Sequence, residues 1–196
     1  MRPSYNQHVD EEDDMLHESG RMTYADLLLL PDDGMRHELI NGVHYVTASP
    51  VTKHQRILRR LAVEIELWLR DHPAGEMFFA PLDVVLTNID VVVPDLIYIS
   101  SERSAGLEAK GMFAAPDLAV EILSPSTRKR DKVLKRKLYE REDIREYWLI
   151  DPDRNTVEVH RNEGRSYVRA AELTASDVLT TPLFPGLELR LSELFR

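Results

Sequence analysis

Between residues 52 and 70 the apolar positions Leu58, Leu61, Ala62, Ile65, Trp68 and Leu69 recur at spacings of three and four. That period predicts an amphipathic helix whose polar face carries Arg59, Arg60, Glu64 and Glu66. Downstream the period changes. The runs MFFAPLDVVLT, DVVVPDLIYIS and DLAVEILS are strand-like, and the last two are β-branched and almost continuously apolar, as central strands covered on both faces are. A second helix is expected from about Thr127 to Arg141, followed by a buried strand in REYWLIDP. TVEVH and SYVRA, joined through RNEGR, read as a hairpin at the sheet margin. Near the start, Thr23 can cap a short helix, TYADLLLL, that stops at Pro31, and Asn41-Gly42 divides MRHELINGVHYVTASP into the arms of a tight hairpin. Residues 101 to 115 read as a loop with a short helical turn, and PLFPGLELRLSELF as a short strand and a terminal turn. This order predicts a mixed β-sheet flanked by helices, an α/β or α+β fold.

At 196 residues and 43% apolar content the chain can bury a substantial core, and residues 21 to 196 are expected to form one domain. Residues 1 to 20 lack periodicity, include DEEDD at 10 to 14, and are expected to be a flexible acidic lead-in. A formal charge of -9 argues against a protein that coats nucleic acid over its whole surface. It leaves room for a local basic site, because residues 128 to 137 hold seven cations against the single carboxylate Asp131. The absence of cysteine excludes disulfides, thiolate nucleophiles and zinc-thiolate sites. No apolar run is long enough to span a bilayer and no signal-like segment follows the charged start, so a cytoplasmic, membrane-free protein is expected.

Two carboxylates interrupt the apolar strands. Asp95 follows Pro94, which has no donor for a ladder, so the strand ends, bends or borders an opening there. Glu121 shares a strand face with Ala119 and Leu123. Each has a plain structural reading, Asp95 as a strand-end cap and Glu121 as an ion-pair partner. Together on neighbouring strands they repel unless a cation lies between them, and hard oxygen ligands suit Mg²⁺ or Mn²⁺. Helical phase then separates the basic run: Lys135 falls in the apolar arc with Leu134, Leu138 and Tyr139, whereas Arg136 and Lys137 face away. A lysine there either snorkels or meets an inward carboxylate, and nearby Glu121 favours the second. Glu38, just before the hairpin turn, reads as an ordinary strand carboxylate or a member of the same set. His54, over the apolar stripe at the start of its helix, reads as a half-buried histidine or as a group that positions phosphate or water. No Gly-rich phosphate loop, HExxH, GxSxG or zinc-finger spacing occurs.

In order, RHELINGVHYVTASPVTKHQ, VVVPDLIYIS, APDLAVEILSPSTRKRD, KRKLY and IREYWLIDP resemble the Uma2 family, restriction-endonuclease-like proteins of the PD-(D/E)xK nuclease superfamily. The resemblance extends over roughly residues 22 to 190. It implies a restriction-endonuclease-like mixed sheet in which Pro94-Asp95 is the PD pair and Glu121 the acidic position. The metal contacts would be Asp95, Glu121 and the backbone carbonyl of Ile122. Leu123 stands where the superfamily has its lysine, and the resemblance places that lysine on the following helix, at Lys135. Glu38 corresponds to the early acidic residue of the core and His54 to a histidine common in the family. Pro116-Asp117, a second PD pair, precedes the strand that carries Glu121 and is read as a decoy.

The expectation is therefore an Mg²⁺- or Mn²⁺-dependent endonuclease acting on nucleic acid, DNA first, with Glu38, Asp95, Glu121 and Lys135 in the chemistry. His54, Arg128, Lys129 and Arg130 would meet the nucleic-acid backbone, the last three from the exposed first turn of the second helix. The alternative is a catalytically inactive nucleic-acid-binding or assembly domain that keeps the fold and its ion pairs. A weaker third reading has the acidic N-terminal segment recruit a basic partner. A homodimer through the edge of the later hairpin is also expected.

Overall fold

The computed structural model describes residues 20 to 164 and 166 to 196. The expected acidic lead-in, apart from Gly20, lies outside the described residues. Thr23 caps α1 (Tyr24–Leu27) with a reciprocal capping box, its N–H donating to Asp26 Oδ2 at 2.8 Å. The helix ends after four residues, and Leu28 and Leu29 of the expected longer helix are exposed. β1 (Arg36–Ile40) and β2 (Val43–Thr47) form the expected hairpin. Its turn residues Asn41 and Gly42 have φ of 52° and 72°, the two successive left-handed conformations that this dipeptide supports. α2 (Thr52–Asp71) buries His54, Ile57, Leu58, Leu61, Ile65 and Leu69.

The next two apolar runs do not form one strand each. MFFAPLDVVLT divides into β3 (Gly75–Phe79) and β4 (Val84–Thr87), and DVVVPDLIYIS into β5 (Asp90–Val92) and β6 (Leu96–Ser100). In each case the halves enter different sheets. Pro81 and Pro94 lie at the breaks, where a residue without an N–H ends a ladder. A 3₁₀ turn (Ser104–Gly106), β7 (Leu107–Glu108) and β8 (Gly111–Met112) lead to β9 (Leu118–Ile122). A π-helical turn (Arg130–Lys135) runs into α3 (Arg136–Arg141) and returns the chain to β10 (Glu146–Asp151), parallel to β9. The hairpin of β11 (Thr156–Asn162) and β12 (Tyr167–Thr174) follows, then the ribbon β13 (Val178–Leu179) with β14 (Leu189–Arg190), and α4 (Leu191–Phe195).

One sheet has the order β2-β1-β5-β4-β8-β7 and the other β12-β11-β10-β9-β6-β3. The second is the framework of the molecule, with β9 and β6 inside it as expected. Its strands alternate between two cores. Leu96, Tyr98, Leu118, Val120, Ile122 and Trp148 pack against α2, whereas Ile97, Ile99, Ala119, Tyr147 and Leu149 pack with Leu138 and Tyr139 of α3 and Val84 and Val92 of the first sheet. Glu121 therefore points to the side of α3. None of the helices among the described residues is long and apolar enough to cross a membrane.

Candidate active site

Antiparallel pairing of β6 with β9, in the register Leu96↔Val120, places the start of one strand beside the end of the other. Asp95 and Glu121 thus lie opposite each other at one end of this central strand pair. Asp95 is 2% exposed, and every bond to it is a donated one. Oδ1 accepts from Arg36 Nη1 at 2.7 Å, and Oδ2 accepts from the Ile122 N–H at 2.8 Å and pairs with His54 Nε2 at 2.9 Å. Burial alone would raise its pKa, but His54 and Arg36 hold the carboxyl below its ordinary value. His54, expected to meet phosphate, is instead on the Asp95 carboxylate, because the first turn of α2 points its buried face at that strand end. Arg36 was not singled out from sequence. The available signal was the β1 alternation, which puts Arg36 and Glu38 on one face two residues apart.

Glu38, Glu121 and Lys135 form a second buried group. Lys135 Nζ lies 2.6 Å from both Glu38 Oε1 and Glu121 Oε1, and 3.9 Å from Asp131 Oδ1. Tyr139 donates its hydroxyl to Glu121 Oε1 at 3.1 Å, and the Val93 N–H donates to Glu38 Oε1 at 2.8 Å. Burial opposes the charge on Lys135, yet Glu121, Glu38 and Asp131 together raise its pKa and keep it an ammonium. Glu38 is also buried, but Lys135 and Arg130 hold it below the usual range. Glu121 is the opposite case: burial, reinforced by Asp131, Asp95 and Glu38, pushes it well above the ordinary value despite Lys135. A carboxyl so poised gains most from a further cation.

The helix that carries Lys135 departs from the expected geometry. Arg136 N–H donates to Asp131 O, five residues back, and this wider turn shifts the phase of everything before it. Leu134, expected on the packed face, is 37% exposed, while Asp131 joins Lys135 inside. Of the three cations expected to be exposed at the start of the helix, only Lys129 is. Arg130 turns inward, donating to Thr47 Oγ1 at 2.6 Å, pairing with Glu38 Oε2 at 3.1 Å and lying over the Tyr45 ring. Buried Glu38 draws the guanidinium in, since an uncompensated carboxylate there would be costly. Arg128 is half-buried and bound to Asp151 through both terminal nitrogens and to Asp153 at 3.2 Å.

Asp95, Glu121, Glu38 and Lys135, all buried, line a cleft of about 280 Å³ together with Arg36, Lys53, Ser126 and Asp153. A larger hollow of about 660 Å³ between α2 and α4 contains none of them. Among the described residues no group of three or more His, Asp and Glu side chains is arranged to hold a metal ion. The donors lining the cleft fit a half-site, with water and substrate phosphate supplying the rest, as is usual for Mg²⁺. Asp95 and Glu121 supply carboxylates. The Leu123 N–H donates to Ile150 O, so by strand alternation the Ile122 carbonyl faces the β6 side. There the register continues to Pro94, which has no N–H to occupy that carbonyl.

A family model described as "Uma2: Putative restriction endonuclease" matches residues 24–192. Among solved structures the chain is similar to a "putative nuclease belonging to DUF820 from Anabaena variabilis". The identity is 24%, over 89% of this chain and 97% of that one, with a TM-score of 0.74. A type IIG restriction endonuclease, BpuSI, aligns at 14% identity over 72% of this chain and 15% of its own, with a TM-score of 0.37, which carries no argument. Curated proteins give no match. The fold is therefore a restriction-endonuclease-like mixture of β-sheets and helices. With a family model spanning nearly all the described residues, the chain belongs to the Uma2 family.

Proposed function

We propose that residues 21 to 196 act as one endonuclease domain that hydrolyses phosphodiester bonds of nucleic acid, DNA first, with a divalent cation. The observation that carries this reading is the junction of Asp95 with Glu121 in a cleft, with Lys135 Nζ at 2.6 Å from Glu121. Asp95, Glu121 and the Ile122 carbonyl would hold Mg²⁺ or Mn²⁺, which when bound lowers the pKa of water and offsets charge on the phosphate. Arg36 and His54 orient the Asp95 carboxylate. Lys135 directs an ammonium proton at the attacking oxygen and balances the Glu38 and Glu121 charges. Lys129, the exposed cation at the start of the following helix, would meet the flanking backbone. The test is cleavage of linear and supercoiled DNA, and of RNA, by purified protein with Mg²⁺. Cleavage that survives Glu121→Ala unchanged rejects the assignment.

One observation favours a second reading, a catalytically silent nucleic-acid-binding or assembly domain. Lys135 is within 2.6 Å of both Glu38 and Glu121, so the buried cluster already holds a cation of its own. Titration calorimetry with Mg²⁺ and Mn²⁺ separates the two. A site that disappears in Glu121→Ala supports the enzyme; no site at millimolar metal, with nucleic-acid binding intact, supports the silent domain.

A further inference from the structure

The framework sheet has two edges, and they differ in chemistry. β12 carries Arg169 and Glu172, paired at 2.8 Å, which guard its edge against another strand. β3 is paired on one side only among the described residues, and its single charged side chain is the exposed Glu76. Phe79 of β3 is 51% exposed, and across from it Val63 and Leu67 of α2 are 49% and 45% exposed. With Met77, Leu58 and Ala62 they make an apolar groove of about 600 Å³ along the free edge. Contiguous apolar surface beside an unpaired strand marks an interaction face.

We infer that this face joins two copies of the chain. A two-fold axis that sets two β3 edges antiparallel, continuing one sheet into the other, also lays the two α2 helices antiparallel and side by side. The exposed groove side of α2 has the charge order that such an axis requires. Arg59 and Glu66 border the groove on either side of Ala62 and Val63, and neither has an ion-pair partner among the described residues. Antiparallel pairing about that centre puts Arg59 of each copy opposite Glu66 of the other and Ala62 opposite Val63. A parallel arrangement would oppose arginine to arginine. Within one helix the two charges are seven residues, about 10.5 Å, apart along the axis and cannot satisfy each other. Self-complementary charge around an apolar centre selects a second copy over a partner of uniform charge.

The test is the molar mass of the full chain by light scattering over a concentration series, independent of any activity. The wild type is expected to be a dimer, and Val63→Glu in the groove a monomer. Arg59→Glu and Glu66→Arg should each weaken dimerisation at least tenfold, and the double variant Arg59→Glu/Glu66→Arg should restore it. A folded wild type that stays monomeric overturns the inference and leaves the groove to residues 1 to 19 or to another protein. A dimer unaffected by these changes, or a double variant no better than the singles, overturns it equally.

Discussion

Pro94-Asp95 and Pro116-Asp117 place the same dipeptide immediately before two neighbouring antiparallel strands, β6 and β9, and both aspartates are buried. Each accepts a backbone N–H from the neighbouring strand's end: Asp95 from Ile122 at 2.8 Å, Asp117 from Ser100 at 2.6 Å. Each also meets two basic side chains. Asp117 has Arg145 at 3.0 Å and Arg103 at 3.6 Å, and Arg103 continues to Asp143. The difference lies in what else arrives. Antiparallel pairing sends the dipeptides to opposite ends of the strand pair. At the Asp95 end, β1, the start of α2 and the π turn bring His54 onto Asp95 and Glu38 and Lys135 around Glu121. At the Asp117 end the arginines close the sheet against solvent and tie the 3₁₀ loop to the turn before β10. The same dipeptide thus acquires different surroundings through the sheet end it occupies.

The largest effect should separate the two aspartates by activity. Asp95→Ala or Glu121→Ala should lower the Mg²⁺-dependent cleavage rate by about 10³-fold or more, while Asp117→Asn leaves the rate per folded molecule unchanged. Equal losses would erase the distinction. Next is stability at the Asp95 end: Lys135→Met, which keeps volume and removes charge, should cost about 3 kcal/mol in urea unfolding by leaving Glu121 without its cation and Glu38 with Arg130 alone. Restoring much of that loss with Glu38→Gln would identify the repulsion as its source. At the other end Asp117→Asn keeps the Ser100 hydrogen bond and loses only the ion pairs to partly exposed arginines, so about 1 to 2 kcal/mol is expected.

The smallest effect concerns Asp151, which ends β10 on the same side as Glu121 yet has a structural role. Hydrogen bonds from Arg128 hold its carboxyl below the ordinary value in the folded state. The stability it contributes is therefore present above the unfolded pKa of about 3.9 and lost as pH falls through the lower folded value. Asp151→Asn should flatten that part of the acid unfolding curve by about 1 kcal/mol or less, with cleavage at neutral pH unchanged. A large fall in cleavage would enlarge the catalytic set at this end.

Residues whose partners are close in sequence were legible. Thr23 caps a helix, Asn41-Gly42 turns a hairpin, and the three-four period of α2 appears where the apolar pattern puts it. Helical phase also found Lys135, although the same phase misplaced Leu134, because a π turn breaks the regular angle per residue. The prolines were visible as interruptions, but that each marks a passage between sheets was not. Arg36 and Arg130 were missed as internal partners for a related reason: their carboxylates are 59 residues away at Asp95 and in the distant β1 at Glu38.

By itself the sequence determined the period of α2, the turn of the β1–β2 hairpin, the carboxylates that interrupt apolar runs, and the lysine that had to face inward. These follow from local sterics and from the cost of burying an uncompensated charge, which a short stretch of chain already expresses. Only the tertiary structure decided which Pro-Asp borders a cleft, which cations are spent on buried carboxylates, and which sheet edge stays open. Those outcomes depend on strand register and on contacts between distant segments, and no local pattern contains them.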